Sequence, residues 1–201
     1  MTATTELEAV NIMLAAIGES PINSLSGTLP VDVRTAQNTL TEINKSVQSE
    51  GWHFNTEIDV LLTRDGSNHI NLATNILMVD PSVNKHPSVD AVQIGTKLYD
   101  RKEHKYEFDE DLYCTIVYLR AFEVEIPEPA RRYITIKAAR VFVDRVVSDE
   151  GLRSYTQQDE LRARSVLMET DYRNADHNIL RGDPALTSVF STYTPSSALI
   201  R

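Results

Sequence analysis

The sequence is poor in cysteine and lacks any long apolar run. Cys114 is the single cysteine among 201 residues, which excludes an internal disulfide and a cysteine-based zinc site. No stretch of about 18 apolar residues, the length that a membrane-spanning helix needs, is present. The opening residues, MTATTELEAV, lack the basic start and apolar core of a signal peptide. We therefore expect synthesis in a reducing, cytoplasmic compartment.

The motifs of the common enzyme classes are absent as well. The sequence has no G-x-G-x-x-G, no P-loop, no G-x-S-x-G and no H-E-x-x-H, the signatures of nucleotide, hydrolase and metalloprotease sites. No two histidines have the i, i+3 or i+4 spacing that places two metal ligands on one helix face. We predict no catalytic residue, no cofactor-binding residue and no metal ligand. Cys114 alternates with apolar residues, and we interpret it as a small buried hydrophobe.

Pairs of carboxylates leave one enzymatic alternative open. Close acidic pairs occur at 109 and 111, at 123 and 125, and at 171 and 176. A glycosidase needs two carboxyl groups across a cleft, one of them with a raised pKa. A chain with 29 acidic residues contains such pairs by composition alone, so a solvated surface is the favoured interpretation.

The net charge of −9 is unevenly distributed along the chain. Residues 1–126 contain 19 acidic and 9 basic side chains, whereas residues 127–201 contain 10 and 11. Ten of those 11 basic residues are arginine, which is favoured over lysine in defined, partly buried pairings. Arginine enrichment indicates either an interface or a codon bias. Nucleic-acid binding by surface charge is disfavoured, because it needs a basic stripe.

Two helices are predicted before residue 52. The first spans residues 5–17 and opens with the capping-box pattern Thr5-x-x-Glu8. The second runs from Asp32, the expected N-cap, to Glu50. Its apolar residues recur at intervals of three and four, which predicts packing against a neighbouring helix.

The apolar period changes to two after the second helix. In residues 52–62 this alternation predicts a strand with one buried face, formed by Trp52, Phe54, Ile58, Val60 and Leu62. Further short strands are predicted at 69–72, 76–79, 91–94, 97–100 and 113–119. The densely charged stretch 100–111 is expected to be an exposed loop or hairpin tip, and it is a candidate contact for a partner protein.

Helical patterns return in the last third of the chain. A third helix is predicted from Pro127 to about Ser148, with proline in its first turn. Gly151 is expected to break it, and a fourth helix is predicted to begin at Thr156. After Ala175 the pattern dissolves into a segment that still carries apolar side chains, so we expect an extended tail that docks on a partner.

These elements predict an α+β fold that is mainly α. Residues 1–51 and 127–180 would form one bundle of about four helices, with residues 52–126 as an antiparallel β insertion. Residues 181–201 would form an extended C-terminal tail. The third helix is apolar beyond one stripe, which suits either the centre of a bundle or a contact between bundle and neighbour.

Three motifs carry a resemblance to a known family. They are A-V-N-x-x-L-A-x-I-G-E-x-P at 9–21, Q-S-x-G-W-x-F-N at 48–55 and P-E-x-x-R-x-Y-I-x-x-K-A-A-R-x-F at 127–142. In order and spacing the chain resembles the tail tubular protein A family of short-tailed bacteriophages, the head-to-tail adaptor or gatekeeper proteins. The region 63–118 carries the least of this resemblance.

The resemblance implies a structural protein of the virion tail, made in the host cytoplasm and not an enzyme. Its members are expected to form a ring of about twelve copies between the portal protein and the tail nozzle protein. DNA would pass through the lumen without specific binding, and tail fibres would attach nearby. The alternative is a tail-associated hydrolase that acts on bacterial surface polysaccharide.

Interface candidates come from the basic start of the third helix and from the apolar tail. Two arginines in a first helical turn oppose the helix dipole, so we hypothesise that they contact a carboxylate on another subunit. The candidate interface residues are Arg131, Arg132, Arg140, Phe190, Tyr193, Leu199 and Ile200.

Overall fold

A computed structural model of the chain describes residues 3–146 and 150–174, with side chains from residue 157 onward in the second range. Within these ranges the chain forms four α-helices and five β-strands. The helices are α1 Glu6–Ala16, α2 Val31–Gln48, α3 Glu128–Val146 and α4 Glu150–Asn174. The strands are β1 Thr56–Leu62, β2 Ile76–Pro81, β3 Ala91–Ile94, β4 Lys97–Asp100 and β5 Leu112–Tyr118. This confirms the predicted α+β fold.

The ends of the first two helices follow local chemistry. Thr5 and Glu8 form the predicted capping box, in which each side chain accepts a hydrogen bond from the backbone N–H of the other residue. The prediction of Asp32 as the N-cap of α2 is wrong. Pro30 holds that position without a side-chain cap, and Asp32 lies in the first turn, where a negative charge complements the helix dipole.

Helix α3 occupies the centre of the bundle and packs against α1, α2 and α4. Tyr133, Ile134 and Phe142 are at most 1% exposed. The wide apolar face of this helix is therefore used within the chain. The sequence left open whether this face lies at the centre of the bundle or contacts a neighbouring subunit. The structure places it at the centre of the bundle.

The predicted boundary between the third and fourth helices is wrong. Helix α4 begins at Glu150, six residues before Thr156, and Gly151 lies inside its first turn. A glycine inside a helix costs only about 1 kcal/mol relative to alanine. The other residues of this 25-residue helix can offset that cost. A single glycine is therefore too weak a signal to end the helix.

The strands form two small antiparallel sheets. One has the order β1–β5–β2, and the other is the hairpin β3–β4, in which Gly95 supplies a left-handed backbone angle (φ 62°) at the turn. The strands predicted at 76–79, 91–94, 97–100 and 113–119 are confirmed within a few residues. Residues 69–72 are not a strand and make only isolated bridges to Glu107 and Lys97.

The strand predicted at 52–62 is only partly formed. Residues His53–Asn55 make a short 3₁₀ helix, and β1 begins at Thr56. Asp59 has a left-handed backbone (φ 60°), and the pairing of β1 with β5 shifts register between Glu57 and Val60. The alternation is broken there, so Ile58 is 65% exposed and not buried as predicted.

Two buried polar side chains join the bundle to the β insertion. Gln48, at the end of α2, donates to the Arg120 carbonyl (3.0 Å) and accepts from the Arg120 N–H (2.7 Å). Asn55 donates to the carbonyls of Gln48 (2.8 Å) and Tyr118 (2.9 Å). Both residues belong to the Q-S-x-G-W-x-F-N motif, so this motif has a structural role at the junction.

The charged stretch 100–111 is largely exposed, as predicted, but it has two anchors. Phe108 is 4% exposed, and Asp100 is 6% exposed and accepts hydrogen bonds from the N–H groups of Lys102 and Glu103. The loop is therefore held to the β insertion at both ends. The predicted tail, 181–201, lies outside the described residues, and the proposed domain limits stay a prediction.

Candidate docking groove

A groove of about 510 Å³ lies between α1, α3 and α4. Its walls include the apolar side chains of Ile12 and Val166, which are 50% and 52% exposed. Exposed apolar side chains in a concave surface make this groove a candidate interaction site. The lining residues are Thr4, Ile12, Pro129, Arg132, Thr135, Ile136, Asp159, Arg162, Ala163 and Val166.

Two polar groups in the groove are left without a partner among the described residues. The Thr135 side chain is 2% exposed, and its hydroxyl has no hydrogen-bond partner. Arg132 is exposed at the groove and makes no ion pair or hydrogen bond within the described part of the chain. A buried unsatisfied hydroxyl costs about 1–3 kcal/mol. The groove thus offers the cation of Arg132 to an incoming group, whereas the Thr135 hydroxyl is enclosed by its surroundings.

The other cation of the groove is already engaged. Arg162 pairs with Asp159 at 3.7 Å, one helical turn earlier. Both side chains are well exposed, so this pair contributes little to stability.

The two arginines at the start of α3 have different environments. Arg131 is 7% exposed, and its guanidinium donates to the carbonyls of Ile126 (2.6 Å) and Thr4 (3.3 Å). Arg131 therefore ties the N-terminal segment to the start of α3. Because consecutive helical residues point about 100° apart, the next side chain turns to the surface, and Arg132 faces the groove.

Arg140, the third candidate in the helix, pairs within the bundle. Its guanidinium binds Glu160 of α4 and lies 3.3 Å from Asp144 one turn later in α3. The geometry thus gives Arg131 and Arg140 intrachain partners and leaves Arg132 available to another molecule. The candidates Phe190, Tyr193, Leu199 and Ile200 lie outside the described residues.

The described carboxylates of these pairs make structural contacts, and Asp176 of the third pair lies outside the described residues. Glu123 accepts from the Glu6 N–H (2.8 Å) and Glu125 from the Ala121 N–H (2.7 Å). Asp111 accepts from the backbone N–H and the guanidinium of Arg64, and these bonds hold the pKa of Asp111 below its ordinary value. A general acid needs the opposite shift, so this pair gives no support to a hydrolase.

The remaining reactive groups also have ordinary roles. Burial, together with the charge of Asp80, raises the pKa of the Cys114 thiol to about 11, which agrees with its interpretation as a buried hydrophobe. No group of three His, Cys, Asp or Glu side chains in the described ranges could hold a metal ion. None of the helices within those ranges is long and apolar enough to cross a membrane.

Sequence reasoning found Arg132 but missed the rest of the groove. Ile12 lies off the apolar stripe of α1, and Thr135 is a polar residue in an otherwise apolar row of α3. Each departure from the pattern is visible in the sequence. Their meeting at one groove depends on how α1, α3 and α4 pack.

A helical bundle with a short β insertion and a cation-bearing apolar groove has the features of a structural protein that contacts other proteins. The profile of the tail tubular protein family matches residues 7–177, and the chain belongs to that family. It is therefore a structural protein of a bacteriophage tail.

A relative, Tail tubular protein A of Klebsiella phage KP34, is 30% identical over 171 residues. The matched region covers 84% of this chain and 88% of the relative. The resemblance stated from the three motifs is confirmed at the level of the family.

Proposed function

We propose that this tail protein is the head-to-tail adaptor, a ring between the portal protein and the tail nozzle protein. Membership of the tail tubular protein family supports a tail position. The observation that carries the ring is the groove, where the unpartnered Arg132 lies beside the exposed apolar side chains of Ile12 and Val166. Tail fibres would attach near the junction with the nozzle.

A closed ring imposes a specific demand on the surface. Each subunit contacts two neighbours through two different faces, in a heterologous contact that closes on itself. The apolar face of α3 is not available for this contact because the bundle buries it. The groove supplies one face, and Arg132 would bind a carboxylate of the neighbouring subunit.

The acidic character of residues 1–126 suits a channel for DNA. The excess of ten acidic over basic residues, from 19 and 9, gives this part of each copy a negative charge. If this part lines the lumen, it repels the phosphate backbone and lets DNA pass without specific binding.

The segment 181–201 is proposed as an arm that binds the portal protein. Its apolar residues, Phe190, Tyr193, Leu199 and Ile200, would be buried in the partner. Deletion of residues 186–201 should abolish portal binding while the melting temperature of the body stays unchanged. Portal binding at full affinity after the deletion would exclude the arm but leave the ring open.

Substitution of the two adjacent arginines tests the ring contact. Arg132→Gln should reduce ring formation with purified portal protein, measured by mass photometry, and should leave the free energy of unfolding within about 0.5 kcal/mol. Arg131→Gln is the matched control. It removes donors to two backbone carbonyls and should destabilise the folded chain by about 1.5–3 kcal/mol. Normal assembly of the Arg132 variant would refute this role for the groove.

A further inference from the structure

Charges of both signs border the groove at the start of α3. Arg132 lines the groove, and Glu128 lies one helical turn earlier on the same face of α3, about 6 Å away along the axis. Both residues are exposed. The Glu128 carboxylate accepts from the N–H and the hydroxyl of Thr4, another residue of the groove, and no ion pair joins it to Arg132 within the described part of the chain. An occupant of the groove is therefore expected to carry a cation and an anion about 6 Å apart.

The end of α4 lies within reach of these charges. Residues 147–149 join α3 to α4, a connection short enough to make the two helices antiparallel neighbours, and Arg164 donates to the Tyr133 hydroxyl (2.9 Å). The start of α3 is therefore level with the second half of α4. At 1.5 Å for each helical residue, Arg132 lies about 13 Å along the axis from Asn174, the last described residue.

The chain beyond α4 contains a segment with matching charges. Residues 175–201 have one pair of opposite charges two positions apart, Arg181 and Asp183. In an extended chain such residues point to the same side, about 6.5 Å apart, which matches the spacing of Glu128 and Arg132. Asp183 follows the last described residue by nine positions, and an extended chain of that length spans up to about 30 Å. The pair can therefore reach the groove of its own chain.

The order of the two charges also fits the groove. A chain that turns back after the end of α4 runs antiparallel to α4 and parallel to α3. It brings Arg181 level with Glu128 first and Asp183 level with Arg132 next. The opposite direction would place like charges together, which disfavours a contact.

Apolar residues on both sides of the charged pair suit the walls of the groove. Leu180 and Leu186 bracket the pair, and the walls expose the side chains of Ile12 and Val166. Pro184 favours an extended conformation for the residue before it. Its fixed φ also lowers the entropy that is lost when this part of the chain becomes ordered.

We propose that a docking segment, residues 180–186, binds in the groove of its own chain, with Arg181 at Glu128 and Asp183 at Arg132. A short flexible connection gives an effective concentration of about 1 mM. A contact with a Kd of about 0.1 mM therefore covers the groove in about 90% of the molecules. Two exposed ion pairs and a few apolar contacts are sufficient for an affinity of this order.

Docking within the chain has a consequence for assembly, and this consequence rests on the proposed function. Asp183 takes the place of the carboxylate that a neighbouring subunit would present to Arg132. If the portal protein binds residues 181–201, it withdraws the docking segment and opens the groove. Ring formation would then start on the portal and not between free copies. The docking itself does not depend on the adaptor function.

Thiol labelling of the free protein tests the docking. The single cysteine, Cys114, is buried, so Val166→Cys adds a reactive thiol at the groove, at a position that is 52% exposed. We expect this thiol to react with a small disulfide reagent about tenfold more slowly in the full chain than after deletion of residues 180–201. The slowing should be independent of protein concentration, because the segment binds within its own chain.

Reversal of the charges tests the pairing of Asp183 with Arg132 in the same assay. Asp183→Arg and Arg132→Asp should each bring the reaction rate to within about threefold of the rate after the deletion, because each places like charges together. The double variant Asp183→Arg/Arg132→Asp restores opposite charges. Its rate should return to within about threefold of the slow rate of the full chain.

Two controls accompany these variants. Asp176→Arg makes the same charge change, but Asp176 follows Asn174 by two residues and reaches only about 7 Å from it, so the slow rate should be unchanged. Val31→Cys places a thiol at the start of α2, where Val31 is 78% exposed. Its reaction rate should be the same with and without residues 180–201.

Equal rates at the groove in the full chain and after the deletion would overturn the proposal. Slowing that grows with protein concentration would assign the groove to a second copy and overturn it equally. Slowing that survives Asp183→Arg, or a double variant as fast as the single ones, would overturn the pairing with Arg132. Mass photometry of Asp183→Arg without portal protein tests the consequence for assembly. We expect larger oligomers than the original chain forms, and their absence would overturn that consequence while the labelling result still decides the docking.

Discussion

Among the described residues, the hydrophobic cluster centred on the helical bundle contains 19 buried side chains, whereas the cluster of the β insertion contains ten. In the bundle the backbone hydrogen bonds are satisfied inside each helix, so the helices are held together mainly by apolar packing, with side-chain contacts such as Arg140–Glu160 in addition. The strands of the insertion are short, and much of its backbone lies in loops that need other partners. We conclude that the two regions have different sources of stability.

Polar side chains supply those partners in the β insertion. His86 is 7% exposed, and its Nε2 accepts from the Tyr113 N–H (2.9 Å) while its Nδ1 lies 2.7 Å from Glu110. The first bond requires a lone pair on Nε2, so the proton lies on Nδ1 and is donated to the carboxylate. Asp65 holds the following loop in the same manner through the N–H groups of Ser67 and His69.

The largest expected effect comes from the core of the bundle. Phe142→Ala, at a fully buried position, should lower the free energy of unfolding by about 3–5 kcal/mol. Urea denaturation followed by far-ultraviolet circular dichroism measures this change. The control Val124→Ala, at a position that is 81% exposed, should have almost no effect. A small loss at Phe142 would mean that the bundle is not the main source of stability.

Removing the junction side chain should separate the two regions. Gln48→Ala leaves the Arg120 N–H and carbonyl without their partners, at a cost of about 1–3 kcal/mol for each buried unsatisfied group. We expect amide hydrogen exchange to show that β5 loses protection at lower urea than α3 does. Coincident transitions would show that bundle and insertion still unfold together without this contact.

Acid should weaken the β insertion before the bundle. Bonds from the His69 N–H, the Asn71 amide and the Ser67 N–H lower the pKa of Asp65. The pKa of Glu107 is also lowered, first by a backbone hydrogen bond and then by the His69 side chain. A lowered folded pKa gives stability that is present above the ordinary carboxyl pKa and lost as the pH falls through the lowered value.

Amide hydrogen exchange of residues 65–111 at decreasing pH measures this effect. Protection should fall in that acidic range, and Asp65→Asn should reduce the pH dependence. Protection that is lost first in α2 would contradict the expectation. Glu42 of α2 is the relevant comparison, because its pKa is also lowered, by its hydrogen bond to Arg145.

The smallest effect is expected at Ile58. Because the register shift in β1 leaves this side chain 65% exposed, Ile58→Ser should change the free energy of unfolding by less than about 0.5 kcal/mol. Ile116→Ala, at a buried position of the neighbouring strand β5, should cost about 2–5 kcal/mol. Thermal melts of both variants provide the measurement. Equal losses of stability in the two variants would indicate that Ile58 is buried, as the alternation predicted.

The helices could be predicted closely because their signals are local. Thr5 and Glu8 fix the start of α1, and the three-four spacing in α2 and α3 fixes their buried faces. Predictions failed where one residue changed a local geometry. Pro30 displaced Asp32 from the N-cap position, Asp59 broke the alternation of β1, and Gly151 was absorbed into α4.

For the candidate site, the sequence identified Arg132 but did not distinguish it from Arg131. Both are arginines in the same helical turn, and the pattern of charges does not show which guanidinium donates hydrogen bonds to backbone carbonyls. The direction of each side chain depends on the packing of α3 against the N-terminal segment. The same packing brings Ile12 and Thr135 into one groove.

By itself the sequence determined the mainly helical α+β architecture, the family and the strong apolar character of the third helix, because periodicity and capping act between residues a few positions apart. Tertiary structure alone decided that α3 is a bundle centre and that Arg131 is buried beside an exposed Arg132. Those outcomes depend on contacts between residues far apart in the chain, and a neighbouring helix either covers an apolar face or leaves it in water.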